Sequence, residues 1–336
     1  MTQLDRVQTW TGSPAASLTT AINTNKGWIT IGAGAAALVG TAWFNHMNSK
    51  RVETQCPPTG EFIEVDGVRL HYVDRGVGPP VVLLHGNGVM LQDWEVSGVL
   101  GLAAEHHRVI AFDRPGFGYS SRPRSSAWTP AAQANLIAAA LKQIGVGPAV
   151  VVGHSWGTMV ALALALDNAD VSAGLVLLSG YYYGSARPDV LPASVPAVPL
   201  LGDVLARTVA PLAGLLMGPS ALKVSFSPAP VSEKFADFPV AMALRPGQIR
   251  ATAADTAMMI PGAIALSRRY GELNLPVIIM AGEGDQIAHV DKHARKLVND
   301  IAGAELRIIP EQGHLFHYAV PEQVAAAIEE VGDRAT

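Results

Sequence analysis

Beyond residue 60 the chain repeats one pattern: a short apolar run, a break marked by glycine or proline, then a longer stretch with an apolar stripe. EFIEV and VRLHYV flank Asp66-Gly67, which predicts two strands joined by a tight turn. The runs VVLLH (81–85), VIAF (109–112), AVVVGH (149–154), GLVLLS (174–179), PVIIMAG (276–282) and ELRIIP (305–310) lack polar alternation, as strands covered on both faces do. AAQANLIAAALKQIGV (131–146), GTMVALALALDN (157–168) and PEQVAAAIEEVG (321–332) are helix candidates. Together they predict an α/β core over residues 61–180 and 275–336, a mostly parallel sheet with helices on both faces.

Two segments depart from this rhythm. Residues 181–274 are apolar and broken by prolines from Pro188 to Pro261, which predicts several short helices, for example around 200–217 and 247–260. An insertion there sits above the carboxyl ends of the strands, where open sheets bind ligands, and is expected to cap a pocket. The other segment is WITIGAGAAALVGTAWF (28–44), uncharged and close to the length that crosses a bilayer core, with Trp28 and Trp43 near its ends. It reads as a transmembrane anchor helix after a polar tail (1–27) and before an exposed linker (45–60), in competition with a cleaved signal peptide or a buried core helix.

This makes the protein a single-pass protein of the cell membrane in expectation. Lys50 and Arg51, set against Lys26 and Arg6, lean toward a cytoplasmic catalytic part. Gly32, Ala36 and Gly40 recur every four residues, a spacing that suits a homodimer of membrane helices.

Composition narrows the classes. Of 336 residues 49% are apolar and 15% charged, which excludes a disordered chain. A formal net charge of -4 without a dense basic run argues against nucleic acid as a partner. The single cysteine, Cys56, makes no intrachain disulfide and has no metal-ligand neighbours at the usual spacing, so no metal is expected.

The chemistry concentrates where strands end. GHSWG (153–157) stands between an apolar strand and a helix. In that context Gly153 and Gly157 leave room for a sharp, strained turn that lifts Ser155 from the sheet at a helix N-terminus. A serine needs a base and the base an orienting acid. Asp285 follows the PVIIMAG strand and His314 follows ELRIIP, giving the chain order Ser155, Asp285, His314. Glu283, His289, His293 and His317 are rivals close by in sequence. An oxyanion hole requires two donors, and the backbone amides of Trp156 and of Asn87, in the HGNG loop (85–88), are the candidates.

HGNG, DRPGFGYS (113–120), GHSWG, GEGD and GH, in this order, resemble the α/β-hydrolase superfamily and its cap-bearing single-domain members. The resemblance covers about 61–333. It implies an eight-stranded sheet with the second strand antiparallel, a helical cap between strands six and seven, no cofactor, and Ser155, Asp285 and His314 as the triad. HGN with a tryptophan after the nucleophile also looks like the halide-binding pair of haloalkane dehalogenases, and the tryptophan recurs in epoxide hydrolases. Those enzymes use aspartate, whose alkyl ester retains a carbonyl that water attacks; an alkyl ether on Ser155 has none. The expectation is therefore a serine hydrolase of carboxylic esters or related acyl compounds. Carbon–carbon hydrolysis of diketone-like substrates, and a non-catalytic small-molecule sensor, are the alternatives. Leu200, Leu201, Val204, Leu205, Val209, Leu215, Leu216, Met217, Met258 and Met259 make the cap apolar, either as its own packing or as a pocket wall. Trp156 and Tyr181, at the cap entry, are the candidate contacts to a small apolar ester-like substrate.

Overall fold

The computed structural model describes residues 14–335, with side chains from Gly32 onward. The chain divides into two compact units, Met1–Phe44 and Asn45–Thr336. A long helix, α1 (Pro14–Gln55), runs through the expected anchor segment 28–44; the first thirteen residues of the expected tail lie outside the described residues.

The second unit carries eight strands: β1 (Glu61–Val65), β2 (Val68–Arg75), β3 (Pro80–Leu84), β4 (Arg108–Phe112), β5 (Ala149–His154), β6 (Ser172–Leu178), β7 (Val277–Gly282) and β8 (Glu305–Ile309). They form one sheet in the order β1-β2-β4-β3-β5-β6-β7-β8. β2 runs antiparallel to both neighbours and every other pairing is parallel. The β1–β2 turn works because Asp66 and Gly67 both take left-handed φ, 49° and 74°, the twist a two-residue hairpin needs.

Between the strands lie α2 (Gln92–Ser97), α3 (Val99–Ala103), α4 (Pro130–Ile144) and α5 (Trp156–Asp167); after β7 come α11 (Ala294–Asp300) and α12 (Pro321–Ala335). Strand alternation explains why the runs are apolar throughout. Val82, Leu84, Ile110, Phe112, Val151, Leu175 and Ile279 belong to a core with α4, α5 and α11. Their neighbours Val81, Leu83, Val109, Val150, Val152, Val176 and Ile278 pack into a second core with Trp94 and α12. β3 to β7 thus each contribute to two cores, and a polar residue on either face there would need a buried partner. α4 shows how local chemistry sets the ends: the Thr129 side chain accepts from the Ala132 amide, Pro130 opens the first turn, and Gly145 closes the helix at φ 74°.

The cap lies between β6 and β7 as expected, with α6 (Val190–Ser194), α7 (Leu201–Arg207), α8 (Val209–Phe226), α9 (Val240–Ala243) and α10 (Pro246–Ser267). The helix expected at 200–217 resolves into α7 and α8, broken at Thr208 (φ −115°, ψ −84°). That at 247–260 extends through Pro261 to Ser267.

The exposed linker expected at 45–60 is corrected. Residues 45–55 continue the helix, and Asn45, Val52 and Cys56 form a stripe at helical spacing. Asn45 Nδ2 donates to the carbonyls of Arg207 (2.8 Å) and Thr208 (2.9 Å). Val52 is buried in a cluster with Phe117, Phe226 and Phe235, and Arg245 pairs with Glu53 at 3.0 Å. The turn signals near Pro57 and Pro58 mark where the helix has stopped; the apolar stripe before them outweighs them.

Candidate active site

β5 ends at His154 and α5 begins at Trp156, so Ser155 alone makes the turn, at φ 52°, ψ −118°. That backbone costs about 1–3 kcal/mol for a residue with a Cβ. Its surroundings hold it there: Ser155 N donates to the Leu178 carbonyl (2.8 Å), and the Thr158 amide and hydroxyl donate to the Ser155 carbonyl (3.1 and 2.6 Å). The flanking glycines are steric requirements. A Cβ on Gly153 would lie 2.7 Å from the Gly157 carbonyl oxygen, and one on Gly157 would lie 2.2 Å from that of Leu84. Alanine ordinarily favours a helix over glycine by about 1 kcal/mol. Gly157→Ala is nevertheless expected to destabilise by at least about 1–3 kcal/mol in urea unfolding, because the clash is with backbone. A neutral or stabilising result would show that the turn opens freely.

The acid and the base meet beyond the sheet. His314 Nδ1 donates to Asp285 Oδ2 at 2.8 Å, while Asp285 Oδ1 accepts the amides of Ile287 and Ala288, each at 2.8 Å. Burial disfavours the charged carboxylate, but the charge and hydrogen bond of His314, with the two amides, outweigh it and hold Asp285 at about 2. With Nδ1 as donor, His314 keeps Nε2 as a free acceptor. The residue before Ser155 touches this couple: His154 Nε2 donates to the His314 carbonyl (3.1 Å), and the two rings lie 5.0 Å apart.

The HGNG loop passes against the elbow. A Cβ on Gly86 would lie 2.9 Å from His154 Nδ1 and 3.2 Å from Ser155 Cβ, so the backbone entering Asn87 approaches the nucleophile closely. Trp156 is the first residue of α5 and its amide has no carbonyl four residues back in the helix, the second potential oxyanion donor.

The side chains of both residues are engaged by the cap. Trp156 Nε1 donates to the Asp255 carbonyl of α10 (2.9 Å), and the Arg114 guanidinium lies over its ring. Asn87 Nδ2 donates to the Thr252 carbonyl (3.1 Å) and Thr256 Oγ1 (3.0 Å), also on α10. The pair that resembled a halide cradle is thus bound by the cap. Tyr181 is likewise buried, its hydroxyl engaged with Ser185 and its ring tilted against His293 with centroids 4.5 Å apart. Cap residues read as packing or pocket wall, from Leu200 to Met217, are largely exposed on the outside.

The rivals are placed too. Glu283 and His289 are exposed. His317 Nε2 is 3.1 Å from Asp93 Oδ2, in a buried group with His154 whose ring nitrogens and carboxylate lie within 4.8 Å of one another. His293 Nδ1 accepts the amides of Tyr182 (3.1 Å) and Tyr183 (3.3 Å), and burial pulls its pKa from 6.5 to about 4. The unfolded chain therefore takes up a proton near 6.5 that the folded protein refuses until about 4, so stability falls as pH drops through that window. The share of His293 is on the order of 3 kcal/mol. Urea unfolding at pH 7 and 4.5 should show a smaller drop in His293→Asn, whose side-chain oxygen still accepts the amides. Burial pulls His85 and His154 down as well, so some slope remains in the variant.

Sequence reasoning missed one feature, a fully buried ion pair between core and cap. Arg114 Nη1 meets Asp255 Oδ2 at 2.7 Å, and Arg122 meets the other oxygen at 2.9 Å. DRPG carried Arg114 in plain view, but nothing near it in sequence announced a partner on α10.

Comparison with known proteins follows this geometry. Residues 79–319 match the α/β hydrolase fold family. An uncharacterised protein of Mycobacterium tuberculosis is 28% identical over 298 residues, covering 85% of this chain and 84% of its own. Haloalkane dehalogenase 2 of the same organism is 30% identical over 115 residues, 34% of this chain and 40% of that one. Another curated relative, 38% identical over 127 residues, is spanned over 33% of its length. Among solved structures, a membrane phospholipase A described as a bacterial virulence factor aligns over 93% of this chain and 98% of its own, with a TM-score of 0.64 at 19% identity. The strained serine turn, the Asp285–His314 couple and the match over residues 79–319 agree, and the chain belongs to the α/β hydrolase fold family.

Proposed function

We propose that the protein cleaves carboxylic esters or related acyl compounds through an acyl-enzyme. Ser155 Oγ attacks the carbonyl carbon, and His314 Nε2 takes its proton and returns it to the leaving alcohol. Asp285 fixes the tautomer and stabilises the imidazolium. The amides of Asn87 and Trp156 hold the oxyanion. Water, deprotonated by His314, then releases the acid and restores Ser155.

The observation that carries this reading is the Asp285–His314 hydrogen bond of 2.8 Å beside a strained serine turn. A dehalogenase reading, which one partial relative brings to mind, is opposed twice. The nucleophile is a serine, and the indole and amide that would hold a halide already donate to α10. Apolar substrates at a membrane surface fit the uncharged segment 28–44, which would hold the enzyme where such molecules partition.

A fluorophosphonate probe tests the nucleophile. Labelling is expected for the parent and for Ser126→Ala, an exposed serine, and is expected to vanish in Ser155→Ala. Absence of labelling in folded parent protein would reject the acyl-enzyme mechanism.

A further inference from the structure

Helix α8, VAPLAGLLMGPSALKVSF, contradicts the usual fate of an apolar helix. It has one charged residue, Lys223, and no carboxylate, and is long and apolar enough to cross a bilayer. A helix apolar all round normally lies in a protein core or in lipid. Here only Pro211 and Phe226 are buried. Leu216 and Met217 are 73% and 69% exposed, Leu212 and Leu215 are exposed beside them, and Leu200 before α7 is 81% exposed. Together they give a contiguous apolar surface in sequence on one part of the cap, the kind that marks a docking site.

Both ends of α8 are tied down. The Thr208 carbonyl, just before its start, accepts from Asn45 Nδ2 at 2.9 Å. At its end Phe226 sits in the cluster with Phe117 and Tyr318, and the Leu315 amide donates to the Ser225 carbonyl at 3.1 Å. A helix tethered at both ends to one folded unit does not thread a bilayer; it lies along the surface.

We infer that the outer face of α8, with the start of α7, docks on a lipid bilayer and lies in its interface, as a second membrane contact independent of segment 28–44. Two observations favour lipid over a second copy of the chain. Lys223, the one charge on α8, is exposed and suits anionic headgroups, while Arg207 just before the helix shares the Asp203 carboxylate with Arg124 and Arg250. Asn45, which grips the α8 start, follows the uncharged run 28–44 directly, and the helical turns after it carry exposed Lys50 and Arg51.

The C-terminal end of α8 lies close to the chemistry. Ser225 receives the amide next to His314, and a Cβ on Gly284, beside Asp285, would lie 2.2 Å from Pro228 Cδ. α8 therefore ends on the two loops that carry the acid and the base.

The test uses the full chain, reconstituted in vesicles of phosphatidylcholine and phosphatidylglycerol, with Cys56→Ser and a polarity-sensitive fluorophore attached through Leu216→Cys. Nitroxide groups in the upper acyl chain are the quenchers. The expected result is at least fivefold stronger quenching than for the same fluorophore attached through Val77→Cys, which is 88% exposed between β2 and β3. Adding Leu215→Glu should cut the quenching at least twofold. Equal quenching at the two positions would overturn the inference, as would shielding at position 216 that depends on protein concentration and is insensitive to the lipid quencher, the signature of a second copy. Neither readout needs catalytic activity, so failure of the acyl-enzyme mechanism leaves this result interpretable.

Discussion

Ser155→Ala is expected to lower kcat for a p-nitrophenyl ester by about 10⁴- to 10⁶-fold, the scale seen when a serine nucleophile is removed from a triad. Asp285→Asn is expected to cost about 10⁴-fold, and the structure gives the reason. Asp285 Oδ1 accepts two backbone amides, so the oxygen of an asparagine must take that place. Its NH₂ then faces His314 Nδ1, which has to become an acceptor, and the ring proton moves to Nε2. A base protonated at Nε2 accepts nothing from Ser155. Ser155→Gly should be as inactive as the alanine variant yet at least as stable as the parent, because glycine takes the positive φ without strain. Steady-state kinetics with urea unfolding measure both. If Ser155→Ala retained a tenth of the parent rate, the proposed nucleophile would be wrong.

The second large effect lies away from the chemistry. Asp255→Ala is expected to destabilise the protein by about 3–5 kcal/mol, because it strands a buried guanidinium. Arg114 has no exposed surface, and its other donors already serve the carbonyls of His85 (2.8 Å) and Gly86 (3.0 Å) and Gln133 Oε1 (2.9 Å). Arg122 and Gln133 also reach Asp255, so the loss leaves several donors short at once. Replacing both charges, Arg114→Met with Asp255→Leu, should recover only part of the loss, since the carbonyls of His85 and Gly86 and the donors of Arg122 and Gln133 then lose their partners. Urea unfolding of the parent and the two variants decides. A cost below about 1 kcal/mol for Asp255→Ala would mean that water reaches Arg114 in the folded state.

This pair also marks the limit of sequence reasoning. GHSWG could be read because the sterics that require it are local: Gly157 must lack a Cβ where the helix start crosses the Leu84 carbonyl. Asp285 and His314 could be read because each follows an apolar strand at once, and parallel strands deliver such residues to one edge. The partner of Arg114 could not, since it lies in another layer on a helix whose own pattern shows only that it is helical. The same holds for Asn87 and Trp156. Their types are visible in the sequence, but their side chains serve the cap, a fact that depends on how close α10 settles.

The helix through residues 45–55 shows the converse error. The turn residues CPP and TG near the end of 45–60 suggested a linker, whereas Asn45 and Val52 find partners on the cap and core. By itself, then, the sequence determined the strands, their burial on two faces, the strained serine turn and the order of the three catalytic candidates. All of these follow from periodicity, chain sterics and the direction of parallel strands. Only the tertiary structure decided which buried charges pair, which polar groups are already satisfied, and which apolar helix is left facing outward. Such pairings join residues far apart in the chain, and their free energy depends on distances that no local pattern records.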